Sequence, residues 1–263
     1  MLTLPSLLVE GNPELSDWNI LHAFRGSFAH GTRLDPDDPF FIDDIDTIGI
    51  CVPPPEYYIG LKKFYSQGTR EIKYEEWDIV IYEAKKAITL LAGGNPNIIS
   101  LLWMEDDKYF KLTSAGKIIL ENRHLFSTKK AHAAFVGYAY GQLRRMKHFV
   151  FQGYMGAKRK AIVDKLSYDS KNASHAIRIF RMGIEMMREG RVYVERPDAE
   201  ELMAIKRGEW TLEEIVAEAE RLKLQADEAY KKSDLPLDVD WERINDLAQE
   251  VIRTAWREKG VSI

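Results

Sequence analysis

Residues 25–50 read RGSFAHGTRLDPDDPFFIDDIDTIGI, and the fold is decided by how this stretch is read. It opens on a Gly-Ser pair, Gly26 and Ser27. It closes on Asp44-Ile45-Asp46, which leads into the apolar run Ile48-Gly49-Ile50-Cys51-Val52. The run predicts a strand over 44–52, ended by Pro53-Pro54-Pro55 because proline donates nothing to a ladder. Strand side chains alternate faces, so Asp44 and Asp46 are expected on one face and Ile45 on the other. Neighbouring carboxylates disfavour joint ionisation. A hard divalent cation such as Mg²⁺ removes that conflict. The Gly-Ser pair supplies close backbone approach, free N–H groups and a hydroxyl donor. Together these residues point to a site for a metal-bound nucleotide. A polar loop entering a strand would also carry acids at 43, 44 and 46; the preceding Gly-Ser and the apolar continuation favour the site.

Upstream, residues 13–21 carry a helix-like pattern anchored by Trp18 and Leu21, and 20–24 lead into the Gly-Ser turn. Downstream, the aromatics of Tyr57-Tyr58-Ile59-Gly60-Leu61 either line a pocket or pack in the core or at an edge. Residues 72–82, IKYEEWDIVIY, read as a strand region with Trp77, Ile79 and Ile81 on one face and Asp78, Val80 and Tyr82 on the other. Asp78 stands among strand-favouring residues, a costly place for an unpaired carboxylate. An edge position or a lysine partner would satisfy it, and so would a metal. A helix is expected over 83–91, stopped by Gly93-Gly94-Asn95-Pro96-Asn97, and 97–103 is apolar enough for core.

The second half is helical in its spacing. Helices are expected over 129–149, over 170–189 ending at Gly190, over 211–232 and over 240–259, with Tyr193 to Asp198 as a short extended segment. The change of character near 121–130 divides the chain into 1–125 and 126–263. Positive charge concentrates over 141–181, at Arg144, Arg145, Lys147, Lys158, Arg159, Lys160, Lys165, Lys171, Arg178 and Arg181. Such a cluster reads as a phosphate partner or as a solvated surface. The loop Gly153-Tyr154-Met155-Gly156 before Lys158-Arg159-Lys160 offers backbone donors and charge but lacks Walker spacing. On the helix from Ser170, the apolar stripe is Ala173, Ile177, Phe180, Ile184 and Met187. Lys171, His175 and Arg178 lie on the opposite face, off the stripe where a core histidine would sit.

The 263 residues suffice for one large domain or two modest ones, and 45% hydrophobic content supports a sizeable core. A net charge of −4 argues against a general nucleic-acid binder. The single cysteine, Cys51, excludes an intrachain disulfide and fits a reducing compartment. Residues 1–9 lack a secretory pattern and no apolar run is long enough to span a membrane, so a cytoplasmic location is expected.

Gly-Ser, a spacer and Asp-x-Asp on a strand resemble the signature of the DNA polymerase beta-type nucleotidyltransferase superfamily. VPPPEYYIGL, residues 52–61, and KLSYDSKNASHAIRIFRMG, residues 165–183, resemble its branch of predicted nucleotidyltransferases associated with RNA repair. The spacer departs from the usual pattern: Asp35-Pro36-Asp37-Asp38-Pro39 reads as an insertion. The resemblance implies an α+β fold, with a mixed-sheet nucleotidyltransferase catalytic domain followed by a mainly helical domain and the site in the cleft between them. It implies transfer of a nucleoside monophosphate from an NTP to a hydroxyl acceptor, RNA among the candidates, with release of pyrophosphate. Asp44, Asp46 and, as third acid, Asp78 would be the catalytic carboxylates holding two Mg²⁺ ions. Gly26, Ser27, Lys171, His175 and Arg178 would bind nucleotide. The basic middle also permits a nucleotide- or RNA-binding module without turnover.

Overall fold

The computed structural model describes residues 4–147 and 156–261. The elements in chain order are α1 (Ser6–Glu10), β1 (Asn19–Phe24), α2 (Gly26–His30), β2 (Ile45–Cys51), β3 (Thr69–Tyr74), β4 (Trp77–Glu83), α3 (Ala84–Ala92), α4 (Pro96–Ile99), β5 (Tyr109–Leu112) and α5 (Ser114–Glu121). There follow α6 (Lys130–Lys147), α7 (Ala157–Leu166), α8 (Ser170–Glu189), α9 (Ala199–Lys206), α10 (Leu212–Lys232) and α11 (Trp241–Arg257).

The strands form one mixed sheet in the order β3-β4-β2-β1-β5. β2 and β4 run parallel at its centre, and the other pairs are antiparallel. The architecture is therefore the expected α+β, a mixed sheet followed by helices. β1 is buried at all six residues because it pairs on both edges and is covered on both faces. That pairing overrides the helix-like spacing of 13–21, of which 13–18 form turns and only the end belongs to β1. Residues 72–82 likewise belong to two strands of a hairpin. Glu75, in left-handed backbone at φ 51°, turns the chain, and Tyr74 pairs with Trp77. The alternation shifts by one residue at Glu75-Glu76: cross-strand partners share a face, so Ile72 and Tyr74 lie with Ile79 and Trp77.

α3 follows β4 directly, its first N–H groups capped by the Glu83 carboxylate. Pro53 to Pro55 end the central strand as expected, and Tyr57 and Tyr58 pack edge-on against Trp18 and Trp256. Trp256 also donates its indole N–H to the Pro53 carbonyl at 3.0 Å, so α11 docks on the first half of the chain. Cys51 is buried, and burial pushes its thiol well above the ordinary range.

Beyond α5, α8 is the hub of the helices and packs on α6, α9 and α10. Ala173, Ile177, Phe180, Ile184 and Met187 are buried, as their period requires. α8 ends at Gly190 in left-handed backbone, and α10 begins with a Thr211–Glu214 capping box. The expected helix over 129–149 is seen as α6; Phe149 and the loop residues Gly153 to Met155 lie outside the described residues. The segment from Tyr193 to Asp198 is irregular. Its Arg196 is buried, paired with Glu185 and Asp198, and its backbone N–H reaches the His30 carbonyl.

Candidate functional site

β1 delivers the chain into α2 through a turn that only glycine fits. Gly26 has φ +62°, and a Cβ built on it would overlap the Asp46 carboxylate. Backbone and acid are thus in close approach. Ser27 is buried, and its hydroxyl finds no hydrogen-bond partner among the described residues. A buried hydroxyl left unpaired is costly, and a ligand oxygen would remove the cost.

Asp46 is the second residue of β2. Its register partner on β4 is Asp78, so both carboxylates project from one face of the sheet. The Arg25 guanidinium spans them, with Nη2 3.2 Å from Asp46 Oδ1 and 4.0 Å from Asp78 Oδ1. Asp44 falls one residue before β2, which starts at Ile45, and its side chain is exposed. Strand alternation stops short of it, because the segment leading into β2 is held by other bonds. Asp43 is buried there, and the Ile45 N–H donates to the Glu76 carbonyl. Among the described residues no three His, Cys, Asp or Glu side chains converge tightly enough to hold a metal.

The polar face of α8 turns inward. Lys171, His175 and Arg178 line one cavity of about 250 Å³ together with Gly26, Ser27 and Asp46. Asp44 and Asp78 are not part of its lining; Arg25, His30, Asp43 and Lys206 are. Of the residues singled out from the sequence, six therefore meet in this cavity. Asp78 is tied to it through Arg25, and Asp44 stands outside.

Arg178 pairs with no carboxylate among the described residues. It donates to His30 Nε2 and lies 3.4 Å from Met182 Sδ. Burial, then the charge of Arg196, lowers its pKa to about 9. Nε2 of His30 is thereby an acceptor, so its proton sits on Nδ1 and is donated to the Val194 carbonyl at 2.7 Å. Burial and the neighbouring Arg178 hold His30 well below its usual pKa, and burial with Arg178 and Lys171 does the same for His175. Both imidazoles are neutral at pH 7. Burial would raise the Asp43 pKa, but Lys206 and Lys171 outweigh it and hold the carboxyl below its ordinary range. Lys206 also donates to the Thr32 carbonyl at 2.6 Å, and Lys171 to that of Ile42 at 3.1 Å. Two lysines share one acid, and Arg178 adds an uncompensated charge. The α8 side of the lining is therefore cationic, while Asp46 in the same lining is paired with Arg25.

Several of the basic residues serve other ends. Arg181 joins Asp198, Glu201 and Glu218, and Arg159 joins the α8 cap Asp169 at 2.7 Å. Lys158 and Lys165 lie over the rings of Phe41 and Phe40, and Arg207 pairs with Asp38, so the insertion 35–39 and the two aromatics after it are pinned to the helices. Arg25, His30, Asp43 and Lys206 were not legible as site residues. Their roles come from contacts between distant parts of the chain, such as Lys206 with Asp43.

A mixed sheet with a Gly-Ser turn held against an aspartate at the start of its central strand defines a polymerase beta-like fold. The chain belongs to the RNA repair pathway DNA polymerase beta family, RlaP, whose pattern matches residues 12–250. No curated protein matches it. No helix among the described residues is long and apolar enough to cross a membrane.

Proposed function

We propose that the protein is a metal-dependent nucleotidyltransferase that moves a nucleoside monophosphate from an NTP to a hydroxyl acceptor, RNA being the acceptor the family points to. The observation that carries this reading is that one cavity is lined by Asp46, by Arg178, which has no carboxylate partner among the described residues, and by the unpaired Ser27 hydroxyl. A cation–triphosphate pair needs both kinds of charge. Pure anion binding would need Arg178 and the lysines but no such acid in the same lining.

In this reading Gly26 and Ser27 take phosphate oxygens, and Arg178 with Lys171 neutralises the triphosphate. Neutral His175 donates or accepts a hydrogen bond to the nucleotide. Asp46 and Asp78, paired across β2 and β4, would hold the two Mg²⁺ ions expected of such a site, and Asp44, exposed just before β2, would stand at its edge. Bound there, Mg²⁺ would supply charge that offsets the phosphates and would lower the pKa of the acceptor hydroxyl. The acceptor oxygen forms a bond to the α-phosphorus as the α–β bridge breaks. Pyrophosphate leaves with the electron pair, and Asp78 accepts the acceptor's proton. Catalysis of this kind is positioning and electrostatics.

One observation favours the module without turnover: Arg25 already neutralises the two acids. The experiment that separates the readings supplies each NTP, labelled at the α-phosphorus, with Mg²⁺ and total RNA. Label joined covalently to RNA supports the proposal; label that stays wholly in NTP under every condition favours the module.

A further inference from the structure

Arg25 holds a position that the nucleotidyltransferase reading leaves unexplained. It is the last residue before Gly26, and its backbone N–H donates to the Asp46 carbonyl at 2.8 Å, which fixes its Cα beside the start of β2. Its guanidinium reaches both Asp46 and Asp78, although Asp46 stands nearer. Two adjacent carboxylates repel, and the cation between them offsets that repulsion. Arg25 therefore does in this structure what a bound cation would do. Its side chain is 26% exposed and also lines the cavity that holds Ser27 and Arg178. The buried, unpartnered Ser27 hydroxyl in that cavity is a second, independent sign that a ligand belongs beside these acids.

We propose that Arg25 is an exchangeable counter-cation. It keeps Asp46 and Asp78 paired in the cation-free protein, and a divalent ion displaces it into the cavity, where it meets the triphosphate. This rests on the nucleotidyltransferase reading of the site. A divalent ion carries twice the charge of the guanidinium it replaces, so exchange is favourable once the guanidinium has an anion to move to. Two consequences follow from the geometry. Arg25 competes with the metal when nucleotide is absent, which weakens metal binding. It also couples the two ligands, because the metal frees a guanidinium that the nucleotide then engages, and such coupling is reciprocal. An Arg25 that merely braces β1 against β2 would do neither.

The test is Mn²⁺ binding to the full chain, read from the electron paramagnetic resonance signal of free Mn²⁺, with and without a non-hydrolysable NTP analogue. Arg25→Met and Arg25→Lys are compared with the unaltered protein, and urea unfolding reports stability. Without nucleotide, Arg25→Met should bind Mn²⁺ about three- to fivefold more tightly, the range a partly exposed ion pair supports. The tightening that the analogue produces in the unaltered protein should shrink in the variant. Equal or weaker Mn²⁺ binding by a folded Arg25→Met overturns the proposal. Should Arg25→Met fail to fold, Arg25→Lys decides: its compact ammonium cannot span both acids, so it too should bind Mn²⁺ more tightly, and unchanged affinity overturns the idea. Failure of a different kind is distinguishable. If the unaltered protein binds no Mn²⁺ with nucleotide present, or binds it equally after Asp46→Asn, the metal-dependent reading itself falls.

Discussion

Gly26 lies so close to Asp46 that no side chain fits between them, and its backbone is left-handed, at φ +62°. Gly26→Ala therefore meets two obstacles. The backbone strain costs roughly 1–2 kcal/mol, and the added methyl displaces the Asp46 carboxylate. Urea unfolding should show the modest loss of stability. NTP binding by calorimetry should fall much further than stability does. A variant that binds NTP normally would show that the close approach is not needed for the site.

Arg178 predicts effects of opposite sign on binding and stability. Its charge is set into the cavity wall with no carboxylate partner among the described residues, which burdens the fold. Arg178→Met keeps length and apolar volume. It should leave stability unchanged or raised while weakening NTP binding by about 1.5–3 kcal/mol, the range for a charged hydrogen bond. Loss of both together would make Arg178 a structural residue.

Asp43 is the counterpart case. Its buried carboxylate holds Lys206 at 3.0 Å and Lys171 at 3.3 Å, and so ties the segment before β2 to α8 and α9. Asp43→Asn leaves two lysines without their anion and should destabilise by about 3–5 kcal/mol, as removal of one partner from a buried pair does. Lys171→Ala should cost stability as well. The helical period alone assigns Lys171 to the polar face of α8 and suggests no such cost, whereas the structure shows it bridging two parts of the chain. Chemical denaturation of the two variants checks this, and an unaltered midpoint for Asp43→Asn would contradict it.

The fold's acid sensitivity has a defined origin. His22 and His30 are buried and their pKa values are lowered, His22 to about 3, by burial first and then by Lys111 and Arg178 respectively. The unfolded chain takes up protons at these positions as pH falls through the ordinary imidazole pKa of 6.5, and the folded protein resists doing so. Stability is therefore full above pH 6.5 and falls as pH drops below it, each histidine contributing up to about 1.4 kcal/mol per pH unit. Unfolding free energies measured from pH 7.5 to 5 should show this slope, and His22→Asn should reduce it by up to about 1.4 kcal/mol per pH unit. A flat profile would mean that these imidazoles protonate freely in the folded state.

Much of this was legible because it is local. Gly26 and Ser27 are adjacent, Asp46 follows within the same 25–50 stretch, and strand alternation orients the acid. The 3.6-residue period of α8 sorts Lys171, His175 and Arg178 from the stripe at Ala173, Ile177 and Phe180. The hairpin at Glu75 is hard to read because its turn contains no glycine, proline or asparagine; the one sign of it is the phase shift from Ile72 and Tyr74 to Trp77 and Ile79. β1 was hidden because its helix-like spacing yields to pairing on both edges. His30, Asp43 and Lys206 acquire their roles only through long-range contacts, to Val194, to α8 and α9, and to Thr32. Asp44 shows the limit of the strand rule: it lies one residue before the strand that enforces the alternation.

The central claim is that Asp46 serves metal-dependent nucleotidyl transfer, and pyrophosphate release tests it most directly. The purified chain is incubated with NTP, RNA and Mg²⁺, with parallel reactions in chelator and with Asp46→Asn. Pyrophosphate is expected from the unaltered protein in Mg²⁺ alone, none in chelator, and none from an Asp46→Asn protein whose unfolding curve is normal. Undiminished Mg²⁺-dependent release by that well-folded variant would contradict this role of Asp46.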